Sequence, residues 1–132
     1  MRWHEPKYKN QKVVVDGMKF DSKKEARRFC ELRILEKAGE ISDLKCQVRY
    51  ELIPEQRERT NEIYKSGKNK GKFKPGKVLE RKVEYIADFV YVQNGKIVVE
   101  DVKGYKNGSA YNIFKIKRKL MLYRYGIKIV EI

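Results

Sequence analysis

Two aspartates and a lysine, Asp88, Asp101 and Lys103, lie on either side of a short turn signal in the second half of the sequence. The signal is Asn94-Gly95, a dipeptide typical of two-residue type I′ turns between antiparallel strands. With such a turn the numbers of facing residues sum to 189, so Asp88 faces Asp101 across the hairpin. Lys103 lies two residues beyond Asp101 and therefore projects from the same face.

This arrangement favours metal chemistry on a phosphate. Two like charges that face each other destabilise a strand pair, and partial burial raises the cost. A divalent cation removes the conflict, because carboxylate oxygens a few ångströms apart are the ligands that Mg²⁺ prefers. Lys103 would then stabilise phosphate charge or orient an attacking water. The alternative is that a bulge shifts the register and leaves both aspartates solvated at the strand ends.

The hairpin that carries these residues is one part of an α/β chain. Apolar residues spaced by three and four predict two helices, and alternating apolar residues predict strands. The predicted order is α-β-β-β-α-β after an N-terminal hairpin, an α/β sandwich with a mixed sheet. The predicted elements are a polar arm at 1–11, a hairpin at 13–20, a helix from 21 to about 38, a strand at 45–53, strands at about 83–92 and 96–103, a helix at about 110–125 and a strand at 127–132.

The net charge favours a polyanionic partner. The 132 residues, enough for one domain spanning 1–132, contain 32 Lys and Arg against 18 Asp and Glu, which gives a formal charge of +14. Such a charge predicts binding to nucleic acid first, anionic membrane second and structural RNA third. No apolar stretch reaches the length of a membrane span, and no signal peptide is visible, so a cytoplasmic protein is expected.

Cysteine and histidine are too scarce for several other kinds of site. Cys30 and Cys46 both lie in apolar-periodic segments, which predicts two reduced, buried thiols. His4 is the only histidine and lies near the N-terminus. A Cys/His zinc site and a nucleophilic triad with a histidine base are therefore disfavoured.

Two segments concentrate the positive charge. Residues 55–77 predict a basic loop or hairpin insertion, and the second helix has several basic residues and no acidic one. We interpret both as phosphate-contacting surfaces that add affinity without reading sequence, with a plain solubilising loop as the alternative for residues 55–77. The candidate DNA-binding residues are Lys68, Lys70, Lys72, Lys74 and Lys77 in the insertion and Lys115, Lys117, Arg118 and Lys119 in the helix.

The candidate site also resembles a known family. Tyr85-Ile-Ala-Asp88-Phe, followed after twelve residues by Asp101-Val-Lys103, resembles the D…(D/E)xK signature of the PD-(D/E)xK nuclease superfamily. More narrowly, Phe20-Asp-Ser-Lys-Lys-Glu-Ala26 and Val99-Glu-Asp-Val-Lys-Gly104 resemble small phage-encoded nucleases thought to be Holliday junction resolvases. The resemblance spans about Val13 to Ile132. Ala87 replaces the proline of the signature, and strand parity places Glu100 on the face opposite Lys103.

Glu25 and Gln47 have two interpretations each. Ser22-Lys-Lys-Glu25 is a capping box, which explains Glu25 structurally. The superfamily often supplies a further acidic ligand from its first helix, and Glu25 lies at the edge of the core-facing stripe. We therefore favour a metal-site role for Glu25. Gln47 lies on the strand face opposite Cys46 and either lines the site or is an exposed strand residue.

The resemblance implies a Mg²⁺-dependent deoxyribonuclease with an αβββαβ restriction-endonuclease-like core. Asp88, Asp101 and Glu25 would bind Mg²⁺, with Mn²⁺ as a substitute, and Lys103 would be the catalytic lysine. The implied role is an endonuclease on branched DNA in phage recombination, acting as a homodimer in the host cytoplasm. Alternatives are a nuclease of the same fold acting on linear or nicked duplex, and a non-catalytic basic nucleic-acid-binding protein.

Overall fold

The computed structural model describes residues 12–104 and 106–132. The predicted polar arm at 1–11, with His4, lies outside the described residues. The elements are β1 (Val13–Val15), β2 (Met18–Phe20), α1 (Lys23–Lys37), β3 (Ser42–Ile53), β4 (Gln56–Arg57), β5 (Val78–Glu80), β6 (Val83–Gln93), β7 (Lys96–Asp101), α2 (Gly108–Tyr125) and β8 (Val130–Glu131).

The predicted fold class is confirmed. A four-stranded sheet has the order β3-β6-β7-β8, in which β6 and β7 are antiparallel and β7 and β8 are parallel. The sheet is therefore mixed, and β1 and β2 form the separate N-terminal hairpin. Neither helix of the described chain is long and apolar enough to cross a membrane.

The β6–β7 hairpin has the predicted register. The pairs run from Gln93↔Lys96 to Phe89↔Glu100, and the numbers in every pair sum to 189. Asn94 and Gly95 have φ values of 53° and 74°, as a type I′ turn requires of both central residues. The alternative of a bulge that shifts this hairpin is excluded over these pairs.

Helix α1 packs on one face of the sheet. The Ser22 hydroxyl accepts a hydrogen bond from the Glu25 N–H at 3.1 Å, which caps the helix at its start. At its end Gly39 has a left-handed φ of 79°. The helix contributes to a core whose buried members are Phe20, Ala26, Phe29, Leu32, Ile41, Phe89 and Tyr91.

A buried ion pair fixes which hairpin residues face α1. Glu100 is 1% exposed, and Arg28 of α1 donates to its two carboxylate oxygens at 2.8 and 2.7 Å. Tyr91 also donates a hydrogen bond to Glu100, and burial together with this bond raises the pKa of Tyr91 to about 12. Because strand residues alternate, Glu100 on the α1 face places Asp101 on the other face. Glu100 thus lies against α1, whereas the Lys103 ammonium lies against Phe114 of α2.

Residues 55–77, predicted as a loop or a hairpin, lie largely within a two-stranded ribbon of residues 56–80. β4 pairs with β5, and backbone hydrogen bonds continue the pairing through Lys74 N–H to Glu62 O at 2.8 Å and Tyr64 N–H to Lys72 O at 3.0 Å. By its backbone packing the chain divides into two compact units. One contains the described residues to Val48 together with Ile86–Ile132, and the other contains Arg49–Tyr85.

The cysteine prediction is half wrong. Both thiols are free, but Cys30 is exposed and only Cys46 is partly covered. Cys30 lies one position beyond Phe29 in α1, where its side chain turns away from the core stripe. Burial raises the pKa of the Cys46 thiol to about 11.

Leu32→Ala tests the α1–sheet core. Leu32 is fully buried, so we expect its truncation to lower the free energy of unfolding by about 2–5 kcal/mol. Ile34 lies two residues away on the same helix and is 67% exposed, so Ile34→Ala should change it by about 0.5 kcal/mol or less. Urea unfolding followed by circular dichroism measures both, and equal losses would contradict this packing.

Candidate active site

Asp88 lies in β6, one residue before the Phe89↔Glu100 pair. Its neighbour Phe89 belongs to the α1 core, so Asp88 projects from the opposite face. The Val102 N–H donates to Asp88 Oδ2 at 2.8 Å, which ties the carboxylate to the chain just after Asp101. The structure therefore brings Asp88 beside the end of β7, as the hairpin register predicts.

Asp101 and Lys103 form a close ion pair. Lys103 Nζ lies 2.5 Å from Asp101 Oδ2, and both side chains are largely covered. The same ammonium lies 3.3 Å from the centre of the Phe114 ring of α2. A cation held between a carboxylate and an aromatic face is screened less by water than a surface lysine. Lys103 is thus held at the aspartate pair.

Glu25 reaches the same site from α1. Glu25 is 5% exposed, and its Oε1 accepts a hydrogen bond from Gln47 Nε2 at 2.9 Å. The Ser22 hydroxyl accepts from the backbone N–H of Glu25, and a backbone hydrogen bond at Asp21 acts to lower the pKa of the Glu25 carboxyl. This carboxylate therefore takes part in the helix start as well as in the contact with Gln47. The two interpretations of Glu25 are therefore compatible.

Gln47 connects the two acidic side chains. Besides Glu25, its Nε2 donates to Asp88 Oδ1 at 3.4 Å. Its backbone has a φ of 54° in the middle of β3, a left-handed conformation that costs a non-glycine residue about 1–2 kcal/mol. Gln47 is an exposed strand residue, as one interpretation predicts, and its amide also bonds to two carboxylates of the site, as the other predicts.

The site is electrostatically unfavourable for its own carboxylates. Burial, followed by repulsion from Asp88, Asp21 and Asp101, raises the pKa of Glu25 to about 7. Burial and repulsion from Asp101 likewise raise the pKa of Asp88 to about 6, although the hydrogen bond from Val102 opposes the rise. Folding thus places negative charge where it is poorly solvated, which is a feature of functional sites.

The donor set suits a hard divalent cation. Glu25, Asp88 and Asp101 offer only carboxylate oxygens, and a cation would relieve the repulsion that raises two of their pKa values. In residues 12–104 and 106–132, however, no three acidic, cysteine or histidine side chains are gathered as a metal cluster. The carboxylates instead bond to Gln47, to the Val102 N–H and to Lys103. A cation would have to compete with these internal donors.

The sequence interpretation missed Lys24. Its Nζ donates to the backbone oxygens of Lys103 at 2.6 Å and of Ile132 at 3.0 Å. It thereby ties the first turn of α1 to the chain segment that carries Lys103. No local pattern marks this role, because both acceptors are backbone atoms more than 70 residues away.

The candidate DNA-binding lysines of the insertion are all exposed in the ribbon: Lys68, Lys70, Lys72, Lys74 and Lys77. The basic residues of α2, expected to contact phosphates, are less uniformly exposed. Lys119 is exposed, but Lys115, Lys117 and Arg118 are partly covered. Arg118 pairs with Glu131 of β8 at 3.1 Å, and Lys115 lies 5.5 Å from the Tyr111 ring. Although α2 itself has no acidic residue, β8 supplies one.

Residues 5–130 match the family described as protein of unknown function (DUF1064), and the chain belongs to this family. Comparison with the curated proteins and with the solved structures gave no match.

The raised pKa values predict how stability depends on pH. Because folded Glu25 and Asp88 hold protons more tightly than the ordinary values of 4.5 and 3.8, the folded state binds more protons between about pH 4 and 7. In EDTA the free energy of unfolding should therefore fall as pH rises through this window, by at most about 1.4 kcal/mol per pH unit for each carboxyl. Urea unfolding at a series of pH values measures it.

Glu25→Gln should remove part of that fall, because the amide does not titrate. Glu40→Gln, at an exposed glutamate just after α1, is the matched control and should leave the slope unchanged. An identical slope in wild type and Glu25→Gln would argue against an electrostatically unfavourable Glu25.

Proposed function

We propose that this member of the DUF1064 family is a Mg²⁺-dependent DNA endonuclease that hydrolyses phosphodiester bonds. One observation carries the proposal. Asp88 and Asp101 lie on the hairpin face away from α1, Lys103 is paired with Asp101, and Glu25 is bridged to Asp88 through Gln47. Folding alone gives no reason to bury carboxylates with raised pKa values beside each other.

Glu25, Asp88 and Asp101 would hold the metal. When bound, a divalent cation supplies Lewis acidity, which activates water and neutralises phosphate charge. The oxygen-only donor set favours Mg²⁺, with Mn²⁺ as a substitute.

The chain's own groups have separate tasks in this proposal. The Val102 N–H holds Asp88 in one orientation, and Gln47 holds Glu25 next to it. Lys103 brings a fixed positive charge, held by Asp101 and Phe114, that would stabilise the charge developing on a phosphate.

For the natural substrate we propose branched DNA, as a Holliday junction resolvase would require. The support is the resemblance to phage nucleases and the charge of +14, which favours binding to a polyanion. Cleavage of two symmetry-related strands calls for a C2 homodimer, and a phage protein of this kind works in the host cytoplasm. A labelled four-way junction, compared with linear duplex of the same sequence, tests this choice.

Metal binding can be measured without activity. At pH 8, millimolar MgCl2 or MnCl2 should raise the melting temperature by several degrees, since a ligand at 100 times its Kd adds about 2.7 kcal/mol. Asp88→Asn should lose most of this rise. Asp43→Asn, at an exposed aspartate with a left-handed backbone that asparagine tolerates, should keep it. A rise produced equally by KCl of the same ionic strength would mean that no specific metal site exists.

Lys103→Met tests the catalytic lysine. We expect cleavage of supercoiled or branched DNA in Mg²⁺ to fall by about 100-fold or more, since the charge it provides is used in the transition state. Lys96→Met removes an exposed lysine at the start of β7, at the end of the strand away from Lys103, and should leave the rate nearly unchanged.

Two results with an active protein would contradict the proposal, and so would the absence of any cleavage. One is cleavage by the wild type that continues in EDTA, and the other is full activity of Asp88→Asn. If no DNA substrate is cut but binding persists, the non-catalytic alternative replaces it.

A further inference from the structure

The ribbon of residues 56–80 is built without a core of its own. Its pairing runs from Gln56↔Glu80 through the Ile63↔Phe73 bridge to the Gly71 N–H bond to Tyr64 O at 3.0 Å. Every residue of this ribbon is exposed except four that are partly covered, Thr60, Tyr64, Gly76 and Val78. A two-stranded ribbon of this kind is marginally stable alone. Because its side chains are exposed, both faces of the ribbon are available to a binding partner.

The positive charge is concentrated towards the tip. Between residues 63 and 79 there are six lysines and no acidic residue, and none of the six forms an ion pair with another described residue. The acidic residues of the ribbon lie nearer its base. Its lysines are Lys65, Lys68, Lys70, Lys72, Lys74 and Lys77. Charge complementarity points to a polyanion, with the tip as the contacting part.

An aromatic side chain is displayed among these lysines. Phe73 is 68% exposed, and its cross-strand partner Ile63 is 45% exposed. Lys72 and Lys74 flank Phe73 and project from the other face of the strand, where Lys74 Nζ lies 5.9 Å from the Tyr64 ring. Binding to phosphates gains nothing from an exposed phenyl ring. Binding to an unpaired base does, because stacking of a base on an aromatic ring contributes about 1–3 kcal/mol.

We propose that this ribbon binds DNA at positions where bases are unpaired, with its lysines on the phosphates and Phe73 stacked on an exposed base. The binding itself is independent of hydrolysis. That it selects the substrate of the candidate active site rests on the proposed function. A branch point, a bubble or a flap offers the required unstacked base next to paired strands, and a continuous duplex does not.

The test is DNA binding measured by fluorescence anisotropy in EDTA. Because EDTA removes the metal that the proposed cleavage needs, binding by the ribbon is measured separately from the nuclease activity. The probes are a labelled perfect duplex and the same duplex with a short central bubble. We expect the full-length wild type to bind the bubble more tightly. Phe73→Leu keeps an apolar contact with Ile63 but loses the stacking ring, so the preference should fall by about 5- to 150-fold.

Three further variants control for other causes. Phe73→Tyr should keep the preference, because the ring remains. Leu79→Ala removes an apolar side chain that is also exposed (57%) from the base of the ribbon and should leave the preference for the bubble unchanged. Lys68→Gln with Lys70→Gln should weaken both DNAs alike and reduce the salt dependence by about one unit of slope per lysine.

Equal binding of bubble and duplex by the wild type overturns the proposal. So does a preference that survives in Phe73→Leu, because the ring would then only join the two strands of the ribbon. Either result leaves Mg²⁺-dependent cleavage untouched. Conversely, a protein that prefers the bubble but cuts nothing retains this inference and loses the nuclease.

Discussion

The register of the β6–β7 hairpin is the constraint on which the candidate site depends. A slip of one residue would exchange the two faces, bringing Glu100 to the site and Asp101 against α1. Two independent features oppose that slip. The Asn94-Gly95 turn sets the pairing at one end, and the two hydrogen bonds from Arg28 to Glu100 anchor it from the α1 side. Breaking a buried pair of this kind leaves an uncompensated charge, which makes the shifted register costly.

Local signals predicted the parts of the fold that depend on local chemistry. Some signals act within a few residues: the Asp16-Gly17 and Asn94-Gly95 turns, the Ser22 cap, and Gly39 and Gly126 at the helix ends. The sequence alone therefore locates β1–β2, α1, β6–β7 and α2. The face of Asp88 and Asp101 followed from turn length and strand parity. The outward turn of Cys30 was not predicted, because a thiol carries no sign of which side of a helix edge it occupies.

Site residues whose position depends on tertiary contacts were harder to predict from the sequence. Glu25 could be proposed but not placed, since its role depends on the direction in which α1 crosses the sheet. The hydrogen bonds from Gln47 and the two hydrogen bonds from Lys24 join segments far apart in sequence. Residue spacing along the chain does not predict them. Arg118 is a similar case, because α2 has no acidic residue of its own and the ion-pair partner of Arg118 is Glu131 of β8.

The left-handed backbone at Gln47 lowers stability, whereas the length of its side chain allows it to contact two carboxylates. Glycine would relieve the torsional cost at that position but would delete the amide, and asparagine tolerates the same φ but is one methylene shorter. Only a side chain as long as glutamine spans from β3 to both carboxylates. Gln47 therefore keeps a strained backbone for the sake of its side-chain contacts. Selection for stability alone would be expected to replace it with a residue that relieves the strain.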